Sequence, residues 1–318
     1  MKLASVYGHV QNTRRLEVWE GWPLPKCNIG LEWEFENGPY IRDVVSRRKD
    51  NRYLQTHDDG SLRDGGVEFT TTGDGLFGYD LLDAIYYMKD RIDESLKTHG
   101  VRGLPVCNYR TGFHVHLDIR DLEEKEIHNL LLLYCLLEKP IFNFVGKDRW
   151  KSNFSVPWFR SDSYFTLLKQ IEGVGEMSAV ALGGYSARLK GLQRYSALNC
   201  QAIAKLGTLE FRHMENAVDE ITTKQVDFVK LCMLLKKLAK EQYTLGRHGE
   251  ALFDYLKGLV PNELIRLLDF PLPQDGWDYP EALMLAIPLV SFKKAQAAKT
   301  EFSDMAFARF LGTHPRFR

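Results

Sequence analysis

The sequence contains no apolar run near the 18 or so residues that a membrane-spanning helix requires. Its N-terminus has early charges but no apolar stretch followed by small residues, so no secretory leader is expected. Net charge is also missing, because 42 Lys and Arg cancel 42 Asp and Glu. That balance removes the electrostatic case for DNA, RNA or an anionic membrane as principal partner. The cysteines are few. Cys27, Cys107, Cys135, Cys200 and Cys232 contain no Cys-x-x-Cys spacing, which argues against a zinc ribbon or a disulfide framework and for reduced thiols. These absences together predict a cytoplasmic protein. No Gly-x-x-x-x-Gly-Lys-Ser/Thr loop, His-Glu-x-x-His helix or internal repeat is found, so P-loop and zincin chemistry are both unsupported.

What is present is enough apolar material for a large core, 44% of 318 residues, arranged as one big domain or two. Three stretches share an unusual alternation: Leu31-Glu32-Trp33-Glu34-Phe35, Phe113-His114-Val115-His116-Leu117 and Leu209-Glu210-Phe211-Arg212. Successive side chains of a strand point to opposite faces, so each stretch buries an apolar face and aims charged or metal-capable groups the other way. Any one stretch alone also fits a plain surface strand. Several acids on one face repel one another unless cations neutralise them. Glu and His together suit Mg²⁺ or Mn²⁺, and a neighbouring Arg suits the phosphate of a nucleotide.

Along the chain, residues 28 to 36 read as a strand, 40 to 57 as a polar connection and Val67 to Thr71 as a second strand. A helix from about 80 to 97 carries Leu81, Leu82, Ile85, Ile92 and Leu96 on one stripe. After the His-containing strand, Asp121 is a plausible N-cap with Glu124 three residues on, and the helix it opens ends before Pro140. Residues 147 to 160 are rich in Arg, Lys, Trp and Phe, and 173 to 193 hold five glycines, which suits a mobile loop. Residues 194 to 212 read as two strands with a turn near Lys205 to Gly207. Helices are expected near 219 to 245 and 249 to 258. Gly73-Asp74-Gly75-Leu76-Phe77-Gly78 matches a dinucleotide-binding turn, but Asp93 and Glu94 fall within a helix instead of ending a second parallel strand. A loop whose backbone approaches a ligand is the milder reading.

Five motifs in order carry a resemblance. Gly30-Leu31-Glu32-Trp33-Glu34, Asp59-Gly60-Ser61 followed by Val67-Glu68, Gly112-Phe113-His114-Val115-His116, Arg194-Tyr195-Ser196-Ala197-Leu198-Asn199 and Gly207-Thr208-Leu209-Glu210-Phe211-Arg212-His213 resemble the amidoligase family. That family belongs to the glutamine synthetase and glutamate-cysteine ligase superfamily. The resemblance covers roughly residues 28 to 220. It implies an α+β, glutamine synthetase-like fold: a curved, mainly antiparallel sheet with one active-site face and helices packed on the other. It implies a catalytic domain over residues 1–245, with 246–318 as a C-terminal helical extension. It also implies ATP-dependent amide formation through an acyl phosphate, with Mg²⁺ or Mn²⁺ as cofactor and a small-molecule or peptide acid and an amine as substrates.

By the same resemblance Glu32, Glu34, Glu68, His114 and Glu210 would hold metal. His116 would neighbour nucleotide or substrate, and Arg212 would stabilise the transferring phosphoryl group. Arg194 and Asn199 would contact nucleotide or substrate, Arg149 is a further phosphate-binding candidate, and Arg194 and Glu68 join Arg212 as catalytic candidates. The chain departs from the family after Arg212, where Glu215-Asn216-Ala217-Val218-Asp219 replaces a Gly-Thr-containing run. Such genes are frequent in phages and bacteria, which places a phage-encoded member in the host cytoplasm. An oligomer is compatible with this reading. Two other readings stay open: a phosphotransferase on the same fold, and a binding protein without activity. Glu210→Ala is expected to abolish turnover with little loss of stability, since it removes one repelling carboxylate.

Overall fold

In the computed structural model, residues 27–73, 75–146, 149, 151–158, 194–218 and 221–240 are described. They run β1 (Ile29–Phe35), α1 (Pro39–Arg47), β2 (Leu54–His57), β3 (Val67–Thr71) and α2 (Gly78–His99), then a short 3-10 turn. β4 (Gly112–Asp118), α3 (Glu124–Val145), β5 (Leu198–Asn199), α4 (Gln201–Leu206), β6 (Thr208–Glu215) and α5 (Ile221–Lys240) follow. The strands form one sheet in the order β2-β3-β1-β4-β6-β5 with every pairing antiparallel. The expected α+β class and antiparallel sheet are therefore present.

The pleat sorts the side chains. Ile29, Leu31, Trp33 and Phe35 of β1, Val67 and Phe69 of β3, Phe113, Val115 and Leu117 of β4, and Leu209 and Phe211 of β6 all lie in the core. Helices α2, α3 and α5 supply the opposing layer, with Ile85, Met88, Leu130, Tyr134, Phe228 and Leu235 fully buried. Each such side chain contributes roughly 1.5–3 kcal/mol on leaving water, which fixes the sheet's apolar face against the helices. Polar ties add to this packing: Trp33 Nε1 donates to Gln225 Oε1 at 3.0 Å, and Asn216 Nδ2 donates to the Glu34 carbonyl at 2.9 Å.

Four local expectations are corrected. The connection at 40 to 57 contains α1 and β2; Pro39 starts α1 within its first turn, and Ile41, Val44 and Val45 form a stripe too short to stand out in a polar stretch. Glu123, not Asp121, caps α3, in a capping box with Glu126, while Asp121 receives Lys236 and Lys240 at 2.5 Å each. α3 also continues through Pro140, because Ile141, Phe142 and Val145 beyond it are buried in the core. Finally, α4 stands where a turn near 205–207 is expected; it ends at Gly207 in a left-handed conformation (φ 69°).

Cys27, Cys200 and Cys232 are buried free thiols, and Cys107 is partly buried. The glycine-rich stretch 173 to 193, the helix at 249 to 258 and the extension 246–318 lie outside the described residues. No described helix is long and apolar enough to cross a membrane.

Candidate metal and phosphate site

The second face of the sheet gathers the acids. Registers place Glu32 opposite His114, Glu34 opposite Glu68, His116 opposite Glu210 and Asn199 opposite Glu210. Directly opposed residues share a face with Cβ atoms roughly 5 Å apart, so β1, β3, β4, β5 and β6 converge here. His114 is fully buried at the centre: its Nδ1 lies 2.6 Å from Glu32 Oε1 and 3.5 Å from Glu210 Oε1, and its Nε2 is 3.6 Å from Glu34 Oε2. That Nε2 has no hydrogen-bond partner. His116 Nε2 sits 3.5 Å from Glu32 Oε2, with Thr208 Oγ1 at 3.2 Å from its Nδ1.

Arg212 is buried, ion-paired with Glu210 and 3.9 Å from Glu34 Oε1, and its Nε donates to the Phe154 carbonyl at 3.3 Å. Asn199 Nδ2 donates to Glu210 Oε2 at 2.6 Å, and the Gly112 amide donates to Glu34 Oε2 at 2.7 Å. Gly112 must be glycine, because a Cβ there would fall 2.1 Å from His114 Nε2.

A bulge sets the aim of β6. Phe113 faces Met214 while Val115 faces Phe211, so Arg212 and His213 together oppose His114. Arg212 stays on the acidic face; His213 turns into the core and meets the Tyr134 hydroxyl at 2.9 Å. Arg149 holds this bulge from behind, donating to the Tyr109 carbonyl at 2.9 Å and the Arg212 carbonyl at 3.3 Å. Its guanidinium thus braces backbone carbonyls beside the site while its charge also acts on Glu34. Arg194 is exposed, 5.6 Å from the centroid of the Tyr195 ring.

Electrostatics divide the four acids. Burial alone pushes Glu32 up, yet His114 and His116 outweigh it and hold this carboxyl well below the usual range. Glu210 is likewise lowered, because Arg212 and His116 overcome its burial. Burial raises Glu34 against the pull of His114 and Arg212. Glu68 is pushed up to about 8 by burial and by the charges of Glu32, Asp59 and Glu34. His116 is raised against its burial by Glu32 and Glu210. Fully ionised, the four acids would carry more negative charge than Arg212 and His116 balance. Glu210 is also the acid most firmly held, so the expectation that its removal spares the fold is revised: Arg212 would lose its nearest anion.

Two donor sets have ligand atoms within 4.8 Å of one another: Glu32, His114 and Glu210, and Glu32, Glu34 and Glu68. Carboxylate oxygens with one imidazole suit Mg²⁺ or Mn²⁺, and the orphaned His114 Nε2 beside Glu34 fits such a cation. Glu32 belongs to both sets, as a carboxylate bridging two ions would.

Beside them opens a cleft of about 390 Å³, lined by Glu32, Glu68 and His116 together with Gly30, Gln55, Thr70, Gly73, Gly75, Arg120 and Thr208 among others. This is within the range of small-molecule sites. Gly73 and Gly75 line this ligand-sized cavity. Sequence reasoning missed Gln55, Thr70, Arg120 and the charge of Asp59. Arg120 continues the every-second-residue series His114, His116, Asp118, so extending the alternation two residues would have found it. Asp59 stood in one of the resembling motifs, but without a role of its own. No model of a known protein family matches this sequence, and no curated protein matches it.

Proposed function

We propose that this chain is an ATP- and divalent-metal-dependent carboxylate-amine ligase of the amidoligase type, on a glutamine synthetase-like curved sheet. One observation carries the reading: four carboxylates, two imidazoles and one buried Arg converge on a single sheet face beside a ligand-sized cleft, with Glu34 and Glu68 pushed up in pKa. Glu32, Glu34, Glu68, His114 and Glu210 would hold Mg²⁺ or Mn²⁺, which would neutralise the phosphate oxygens during transfer.

In this reading a carboxylate oxygen of the acid attacks the γ-phosphorus of ATP. The bond to the β–γ bridging oxygen breaks, and ADP leaves with that electron pair. The amine nitrogen then attacks the acyl carbon, the C–O bond to phosphate breaks, and inorganic phosphate departs. Arg212 donates to the equatorial phosphoryl oxygens, a role that a guanidinium fixed by Glu210 performs without reorganising. His116 and Asn199 orient the nucleotide side. Glu68, ionised once a bound cation offsets the charges of Glu32, Asp59 and Glu34, would take the proton released by the amine.

The test is ATP turnover with Mg²⁺ against a pool of acids and amines, with products read by mass. ADP and phosphate formed only when acid and amine are both present support the ligase. AMP, or a stable phosphorylated acceptor without amide, overturns it, as does failure to bind MgATP.

A further inference from the structure

The acidic face has two ends, and their side chains differ in kind. From Gly112 to Asp118, β4 covers six steps of roughly 3.3 Å, about 20 Å in all. At the Asp118 end the cleft offers hydroxyls, amides and glycine backbone, and none of its lining residues is Phe, Tyr or Trp. At the Gly112 end stand Tyr109, Phe154 and Tyr195, with ring centroids 6.4 Å and 5.4 Å apart in succession. Three arginines face these rings: Arg110 lies 4.9 Å from the centroid of Phe154, and Arg194 and Arg212 lie 5.6 and 5.9 Å from that of Tyr195.

This shelf is held in place. The Val156 amide donates to the Tyr195 carbonyl at 2.8 Å, and the Ala197 amide donates to the Val156 carbonyl at 2.7 Å. Arg212 reaches the Phe154 carbonyl, and Arg110 is fixed by Ser61 and Glu36. Yet the shelf is open: Tyr109 is 56% exposed, and Phe154 and Tyr195 are half-buried. Arg212 joins it directly to Glu34 and Glu210.

The geometry points to this shelf as the binding place of the acid substrate, and to an acid that carries an aromatic group. A ring stacked among Tyr109, Phe154 and Tyr195 would present its carboxylate to Arg212 and to the cations that the acidic cluster would hold, and guanidinium groups over aromatic faces reward a further π-system. Phosphoryl transfer needs attacking and leaving oxygens roughly in line. A nucleotide in the cleft therefore leaves the opposite end of the cluster to the attacking acid. The second argument rests on the ligase reading; the recognition of an aromatic acid by the shelf does not.

The experiment is calorimetric titration of the full-length protein with 3-phenylpropionate, 3-cyclohexylpropionate and propionate, and in parallel with ADP and Mg²⁺. The phenyl acid is expected to bind about tenfold more tightly than the cyclohexyl acid, a factor in keeping with ring stacking and cation–π contact. Phe154→Leu and Tyr109→Leu should each reduce that preference; Tyr109 is exposed enough that its loss leaves the core intact. Gly30→Ala, which adds a methyl group beside His116 on the cleft floor, should weaken ADP and leave the phenyl acid unchanged. Equal affinity for the two acids, no measurable binding of the phenyl acid, or competition between it and ADP would overturn the proposal. Aromatic preference without ADP binding upholds the shelf and removes the ligase reading, while ADP binding without aromatic preference removes the shelf alone.

Discussion

The two faces of this sheet both bury ionisable groups, and they treat them in opposite ways. On the helix side Glu138 is 1% exposed and accepts from the Tyr134 hydroxyl at 2.6 Å and the Trp158 amide at 2.5 Å. His213 beside it is held neutral, its pKa pushed down to about 3 by burial and by Arg149. On the other face Glu34 is just as buried at 2%, but it competes with Glu32, Glu68 and Glu210 for the same few cations. His116 is raised there, while His213, three residues from Glu210 on the same strand, is lowered. Burial alone therefore does not mark a site. An excess of like charge held at close range, without enough internal partners, does.

The largest test of this contrast is Glu210→Ala. Turnover should fall by at least about a thousandfold, and stability by roughly 3–5 kcal/mol, because a buried pair broken on one side strands the other charge. Phosphate release and urea unfolding read the two effects; a fully active variant would remove Glu210 from the metal cluster. Next comes Glu138→Leu on the opposite face. It should lower stability by about 3 kcal/mol, since two buried donors lose their acceptor, and leave Mn²⁺ affinity unchanged by paramagnetic resonance. Altered Mn²⁺ affinity would mean that the faces are not independent.

A smaller and more diagnostic effect is that of pH on the metal-free protein. Glu68 has a raised folded pKa of about 8 against an ordinary 4.5. Between those values the folded state binds the extra proton, so this group makes stability fall as pH rises through the window. His116, also raised, stabilises most below its ordinary 6.5 and loses that contribution as pH climbs past its folded value, the same direction. Glu68→Gln should flatten the decline measured by urea unfolding from pH 5 to 8, and so should saturating Mg²⁺. A decline of unchanged steepness in the variant would show that Glu68 does not titrate in this range. The smallest expected effect is that of Arg194→Ala. Exposed at the rim of the shelf beside Tyr195, it should shift stability by less than about 0.5 kcal/mol and turnover by less than about tenfold. A larger loss of turnover would bring Arg194 into the active site.

Much of the sheet was legible in advance because strand alternation is a local property. Leu31 to Phe35, Val67 to Thr71 and Phe113 to Leu117 stand where alternation places strands, and Glu32, Glu34, Glu68, His114, His116, Glu210 and Arg212 all share the expected face. Helices α1 and α4 were not legible, since six to nine residues give too few turns for a periodic stripe. The surroundings of Arg149 were not legible for a different reason. Its charge suggested phosphate, but a buried guanidinium is also an efficient clamp for backbone carbonyls, and only the loop around it shows which applies.

The sequence by itself determined which side chains oppose which along each strand, because a pleat of period two leaves no other choice. It also determined that those strands would carry acids and histidines toward one side. Tertiary structure decided the rest. Pairing of β1 with β3 and β4 put Glu32 in both donor sets, and the bulge opposite His114 let His213 and Met214 both turn into the core. The packing of Tyr109, Phe154 and Tyr195 joined three distant segments at one end of the face. Such choices depend on which strands become neighbours and on how much charge that neighbourhood can neutralise, quantities that no local window of residues contains.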